Sequence, residues 1–168
     1  MFVIPRIQTL HLSLRPFNLE DAATLHRIYQ DEPVLRYFPN PSPPPLEKVE
    51  RFLIHQQKHW EQYGYGNWAI LPDAEDEIIG WAGLQFLPEL NETEVGYLLE
   101  RSFWGKGFAT EAALASLHYG FDHFDFSYII ALIHPDNFAS RRVIEKCGAV
   151  YTETISLWGI DLMRFKIE

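Results

Sequence analysis

Cysteine is nearly absent. Cys147 is the only one in 168 residues, so neither a disulfide within the chain nor a cysteine-rich zinc site can form, which fits a reducing, cytoplasmic setting. Long apolar runs are absent too: nothing approaches the roughly 18 consecutive apolar residues of a membrane span. Residues 1–15 alternate apolar and polar side chains and read as a strand, not as a signal peptide. Basic residues are outnumbered, 14 against 23 acidic ones, for a formal charge of -9. That balance disfavours nucleic acid and anionic membrane as partners, since both need clustered cations. It is compatible with a cationic substrate. A metal site has little to build on. His55 and His59 stand i, i+4, but no third ligand and no His-Glu-x-x-His accompanies them, so they read as a polar helix face.

Apolar side chains make up 47% and aromatic ones 15% of the chain, which is material for a folded core. The length suits one domain over residues 1–168. The most informative run is Phe103-Trp104-Gly105-Lys106-Gly107-Phe108-Ala109-Thr110-Glu111-Ala112. It follows a strand-like stretch, Val95-Gly96-Tyr97-Leu98-Leu99, and opens a helical pattern to about Phe121. A glycine turn between strand and helix lets backbone N–H groups converge, and the helix N-terminus adds partial positive charge, so the site suits a phosphate or pyrophosphate. The P-loop spacing does not fit. Nor does the dinucleotide fingerprint, because Thr110 stands where its third glycine or alanine belongs.

The rest of the chain reads as alternating elements. Ile7, Leu10, Leu12 and Leu14 fall in one short strand. Asn18 caps a helix over about 19–31. Residues 39–45 hold five prolines and form a stiff loop, and a second helix covers about 46–63. Residues 68–71 and 78–84 pair as a hairpin, followed by the strand 95–99 and the loop with its helix. Residues 128–133 are nearly all apolar, as in a strand buried on both faces. A helix over 137–147 ends at Gly148, and 150–157 with 160–167 form a hairpin about Trp158-Gly159. The order β-α-α-β-β-β-α-β-α-β-β predicts a mixed, mainly antiparallel α/β sheet flanked by helices.

This order resembles the GNAT superfamily of acyl-CoA-dependent N-acyltransferases, and within it the RimJ/RimL-type branch. The resemblance is carried by Leu10-His11-Leu12-Ser13-Leu14-Arg15-Pro16-Phe17 with Glu20-Asp21-Ala22, by Glu94-Val95-Gly96-Tyr97-Leu98-Leu99, by the Trp104–Ala112 run, and by Asn137-Phe138-Ala139-Ser140 through Gly148. The superfamily loop reads Gln/Arg-x-x-Gly-x-Gly/Ala; Gly107 and Ala109 match its end, while Trp104 takes the Gln/Arg place, as is common in that branch. The resemblance implies acetyl-CoA as cosubstrate and no metal. Amides of Gly105, Lys106, Gly107, Phe108, Ala109 and Thr110 would hold the pyrophosphate. Backbone groups of Leu98 and Leu99 would pair with the pantetheine arm as with an added strand.

The transfer needs a neutral amine, a polarised thioester and a stabilised thiolate. Glu94 is the candidate base, with Glu92 a rival on the same strand face. Many superfamily members carry a tyrosine, as acid to the thiolate, seven residues after the helix-start asparagine; here that position is Ile144. Ser140, one turn nearer the helix start, is the replacement candidate. Asn137 would anchor the pantetheine or cap the helix, and Arg141 or Arg142 could reach a phosphate. Cys147 reads as a core thiol, and Trp60, Trp68, Trp81 and Trp158 as core or rim aromatics of which one or two line the acceptor groove. The implied reaction is direct acetyl transfer to a primary amine in a ternary complex. The acceptor is open between a protein N-terminal α-amine and a small amine such as a polyamine, amino acid or aminoglycoside, and oligomeric state carries no signature. The rival is a noncatalytic acyl-CoA-binding regulatory module.

Overall fold

The computed structural model describes residues 2–168; Met1, the first residue of the expected N-terminal strand, lies outside them. The elements are β1 (Ile7–Gln8), β2 (Leu12–Arg15), α1 (Asp21–Tyr29), α2 (Glu32–Leu35), α3 (Leu46–Tyr63), β3 (Asn67–Pro72), β4 (Gly80–Leu87), β5 (Glu92–Leu99), α4 (Phe108–His123), β6 (Ile129–Ile133), α5 (Phe138–Lys146), β7 (Val150–Leu157) and β8 (Ile160–Ile167). A single 3₁₀ turn, Arg101–Phe103, precedes the glycine loop. The eight strands form one sheet in the order β1-β2-β3-β4-β5-β6-β8-β7. Every neighbouring pair is antiparallel except β5 and β6.

Strand periodicity builds a core on each face of this sheet. On β3, Trp68 and Ile70 join α4 residues Ala112, Ala113 and Leu117. Ala69, between them, joins Leu25, Ile28 and Leu53 of α1 and α3. Trp60 and Trp68 are fully buried and meet edge to face at 4.8 Å. Their indole N–H groups donate to the carbonyls of Asn67 and Pro5, at 3.0 and 2.8 Å. Truncating either to alanine would cost about 3–5 kcal/mol. At Gly83 a Cβ would sit 2.1 Å from the Gly66 carbonyl oxygen, so β4 reaches the turn after α3 only without a side chain.

The N-terminal expectation fails in part. Alternation runs through residues 7–14, but the chain turns at Thr9–His11, and Leu10 is 82% exposed at the tip. The first helix is shorter than 19–31 because Glu32-Pro33 starts the separate turn α2. Asn18 does act at its start: its Oδ1 accepts the Asp21 amide at 3.2 Å, and Asp21 accepts the Asn18 amide in return at 2.8 Å. Asp21 also holds Arg15 through two parallel bonds, 2.7 and 2.8 Å, in a pair that is 15% and 7% exposed. Breaking such a buried pair by removing one partner costs about 3–5 kcal/mol. The spacing Arg15…Asp21 therefore fixes where α1 leaves the sheet.

His59 is not on a polar face. It is buried, its Nδ1–H donates to the Tyr65 carbonyl at 2.8 Å, and its Nε2 accepts the Phe86 amide at 3.1 Å. Both ring nitrogens are thus committed in the neutral form. Burial lowers its pKa. Unfolded, the same ring takes a proton below about pH 6.5. Its contribution to stability is therefore present above that pH and lost as pH falls towards the folded pKa. Urea unfolding at pH 7.5 and 5.5 should show this loss, and His59→Gln, though less stable at pH 7.5, should lose little more on acidification.

Candidate acetyl-transfer site

The site begins where the parallel pair fails. β5 and β6 meet in register only at Glu94 and Ile130, and beyond that point the two strands part. The Glu100 amide donates to Ile79 at 2.7 Å, so antiparallel alternation turns Leu98 and Gly96 towards β4 and leaves the backbone of Tyr97 and Leu99 facing the gap. Leu98, expected to pair with a ligand through its backbone, spends those groups on β4, and its side chain still lines the groove beside the gap. The Leu99 carbonyl accepts the Trp104 indole N–H at 2.9 Å, which folds the loop back on the strand end.

Next to the gap runs a groove of about 550 Å³. Leu98, Leu99, Trp104, Gly105, Gly107, Phe108, Ala109, Thr110, Asn137 and Ser140 line it. Of the expected loop residues, only Lys106 does not; its ammonium stands over the Phe103 ring, 5.4 Å from the centroid. Gly105 and Gly107 are left-handed, with φ of 75° and 80°, and an added Cβ would meet nothing within 4 Å at either. Their requirement is therefore backbone conformation, about 1–2 kcal/mol for an L-residue, rather than steric room in the free protein. Gly107 ends the loop directly before α4, whose first amides point into the groove with the helix dipole behind them. Glu111, in the first turn of α4, accepts from the Thr9 hydroxyl and the His11 amide at 2.5 and 2.7 Å, pinning the N-terminal turn to this helix. Arg36, Arg142 and Lys146 are the groove's cations; Arg36 is paired with Glu32 through two bonds, and Arg141, outside the groove, with Glu145 at 2.9 Å.

A second, narrower cavity of about 150 Å³ opens on the other side of the gap. Tyr37, Phe38, Tyr97, Asn137 and Ser140 line both cavities and mark their junction. Glu94 lines the narrower one and has no hydrogen-bonding side chain among the described residues. Burial, with a smaller push from the Glu89 charge, raises its pKa to about 8. Glu92, two residues away, is held in a two-bond pair with Arg164, and this pairing lowers its pKa. The two carboxylates share a strand and differ in availability.

Ser140 is fixed on three sides. Its amide donates to the Asn137 side chain at 3.2 Å, so Asn137 caps α5. The Tyr97 hydroxyl lies 2.7 Å from the Ser140 Oγ and 3.0 Å from its carbonyl oxygen. Burial raises the Tyr97 pKa, which keeps the phenol protonated. Ile144 is wholly buried in the core. Tyr97 is the residue that sequence reading passed over; the one available signal was its polar tip inside an otherwise apolar strand. Trp81 and Trp158 are the indoles in the narrower cavity, and Trp60 and Trp68 are core.

The acetyltransferase (GNAT) domain family matches residues 11–150. The chain belongs to this family. Among its relatives is the uncharacterized N-acetyltransferase p20 of Bacillus licheniformis, 33% identical over 140 residues, covering 82% of this chain and 78% of that protein. Another is the FsC-acetyl coenzyme A-N(2)-transacetylase of Aspergillus fumigatus, 32% identical over 164 residues, 89% of this chain and 67% of that one. The crystal structure of an acetyltransferase from Agrobacterium tumefaciens superimposes with a TM-score of 0.86 at 26% identity, covering 100% of this chain and 96% of that one. This GNAT protein is an acetyl-CoA-dependent N-acetyltransferase with the mixed, mainly antiparallel fold of its neighbours.

The raised Glu94 pKa has a stability consequence in this acetyltransferase. The unfolded carboxyl ionises near pH 4.5, the folded one near 8. Stability from this group is thus full below about pH 4.5 and lost as pH rises through 8. Glu94→Gln should melt several degrees above the parent at pH 9 and no higher than the parent at pH 4, read by thermal denaturation.

Proposed function

We propose that the chain is a single catalytic domain, of the RimJ/RimL-type branch, that moves an acetyl group from acetyl-CoA to a primary amine in a ternary complex. The acceptor is a protein N-terminal α-amine or a small amine. The junction of the two cavities carries this reading: a groove ending in a glycine loop and cations meets a narrow cavity holding an unpaired carboxylate. Trp104 in the loop and the Asn137–Ser140 helix start support the branch. The lone thiol, Cys147, is free, which supports a cytoplasmic setting.

The groove residues would bind acetyl-CoA as follows. Amides of 105–110 receive the pyrophosphate, with Arg142 and Lys146 adding charge. Tyr97 and Leu99 offer backbone along the gap to the pantetheine amides. Lys106 contributes its amide rather than its ammonium. The amine enters the narrow cavity and gives its extra proton to Glu94, directly or through water. The free nitrogen attacks the thioester carbonyl carbon, the C–S bond breaks as the nitrogen gives up its second proton to water, and the departing thiolate accepts a hydrogen bond from the Ser140 hydroxyl and takes its proton from water. The Tyr97 hydroxyl reaches both the Ser140 carbonyl and its Oγ; when its one proton lies on Oγ, the serine proton is free to turn towards the sulfur. Glu92 cannot serve as base while Arg164 holds it. A bound-only regulatory module would have no need of an unpaired carboxylate in the cavity that adjoins the cofactor groove.

Thiol release from acetyl-CoA across an amine panel, with mass spectrometry of the products, tests the activity; binding of acetyl-CoA with no release from any amine would favour the module. In calorimetric titration, Gly107→Val should weaken acetyl-CoA at least tenfold, and Lys106→Ala less than threefold. With an alkylamine acceptor, Glu94→Gln should lower kcat by about 10²-fold or more and erase the rise in kcat/KM centred near pH 8 in the parent. Ser140→Ala should lower kcat by about 10- to 10²-fold, and Tyr97→Phe should lower it less, with acetyl-CoA affinity unchanged in both. A parent rate in Ser140→Ala would reduce the serine to a helix residue.

A further inference from the structure

We infer that the acceptor is an aliphatic amine bearing a second positive centre and no acidic group. The inference rests on the transfer reading above and narrows its substrate. Tyr37, Phe38, Trp81 and Trp158 wall the narrow cavity, Glu94 lies in it, and no lysine or arginine lines it. An ammonium there meets a carboxylate and aromatic faces, both attractive to a cation. A substrate carboxylate or phosphate would meet no permanent cation, His134 being the one basic side chain in the lining.

The second centre is read from the mouth. Trp158 sits at the β7–β8 turn with φ of 54°, an uncommon conformation for a bulky side chain. From there its indole both lines the cavity and donates to the Glu89 carboxylate at 3.2 Å. Glu89 is exposed and close enough to Glu94 for its charge to be felt there. Two carboxylates in mutual repulsion, one inside and one held at the rim, match two positive charges joined by a short apolar chain. The cavity volume of about 150 Å³ admits such a chain.

The test is steady-state thiol release from acetyl-CoA with 1,4-diaminobutane, butylamine, 4-aminobutanoate and the amide of trialanine. The diamine should exceed butylamine in kcat/KM by about tenfold and 4-aminobutanoate by at least 10²-fold, with its lead over butylamine shrinking as salt screens the rim charge. Glu89→Gln should bring diamine and butylamine to within about threefold of each other. Parity of 4-aminobutanoate or the peptide with the diamine overturns the inference, as does an undiminished diamine lead in Glu89→Gln. Absence of turnover with every amine, while acetyl-CoA still binds, would instead overturn the transfer reading itself.

Discussion

The site depends on one break in pairing: β5 and β6 run parallel but share a single register point, Glu94 with Ile130. A sheet that stayed closed there would satisfy Tyr97 and Leu99 internally and leave no seat for a ligand. An open one leaves backbone donors and acceptors to be met by something else. Trp104 meets the Leu99 carbonyl. The α5 N-terminus, capped by Asn137, stands over the same opening, and the Glu111 bonds to Thr9 and His11 keep the α4 N-terminus against the edge of the sheet. The two helix starts and the open strand thus converge because the strands diverge.

The same strand shows how position alone fails to set a carboxylate's chemistry. Glu92 and Glu94 are two residues apart and alternate to one face. Glu92 meets Arg164 from β8 and becomes a structural anion. Glu94 has no hydrogen-bonding side chain among the described residues; burial and the Glu89 charge favour its protonated form near neutral pH. An arriving ammonium would draw it back towards the charged form, and the carboxylate would in turn favour the charged form of the amine.

Local chemistry was the legible part. The period and length of α3, the glycine loop, and the β7–β8 turn at Trp158-Gly159 follow from residues within a few positions of one another, and the structure places them where the sequence puts them. Leu10 misleads because alternation continues through a turn that the sequence does not punctuate with glycine or proline. His59 misleads because its two partners, Tyr65 and Phe86, lie in elements that only the fold brings to it. Arg164 is 72 residues from Glu92 and Tyr97 is 43 from Ser140. No spacing rule reaches that far, so the choice between the two carboxylates and the partner of the serine were illegible.

Ile144 gives the clearest case of chemistry moving between elements. Where the superfamily resemblance would put a tyrosine on that helix, this chain has an isoleucine that seals the core. A hydroxyl reaches the same region from the opposite wall, on β5, and meets Ser140 across the gap. A strand is a stiffer mount than the first turn of a nine-residue helix, and the phenol's burial keeps it a donor across the working pH range. The hydroxyl pair also ties α5 to β5 at the mouth of the splay. The contact that orients the Ser140 hydroxyl therefore also bridges the helix and the strand on either side of the opening.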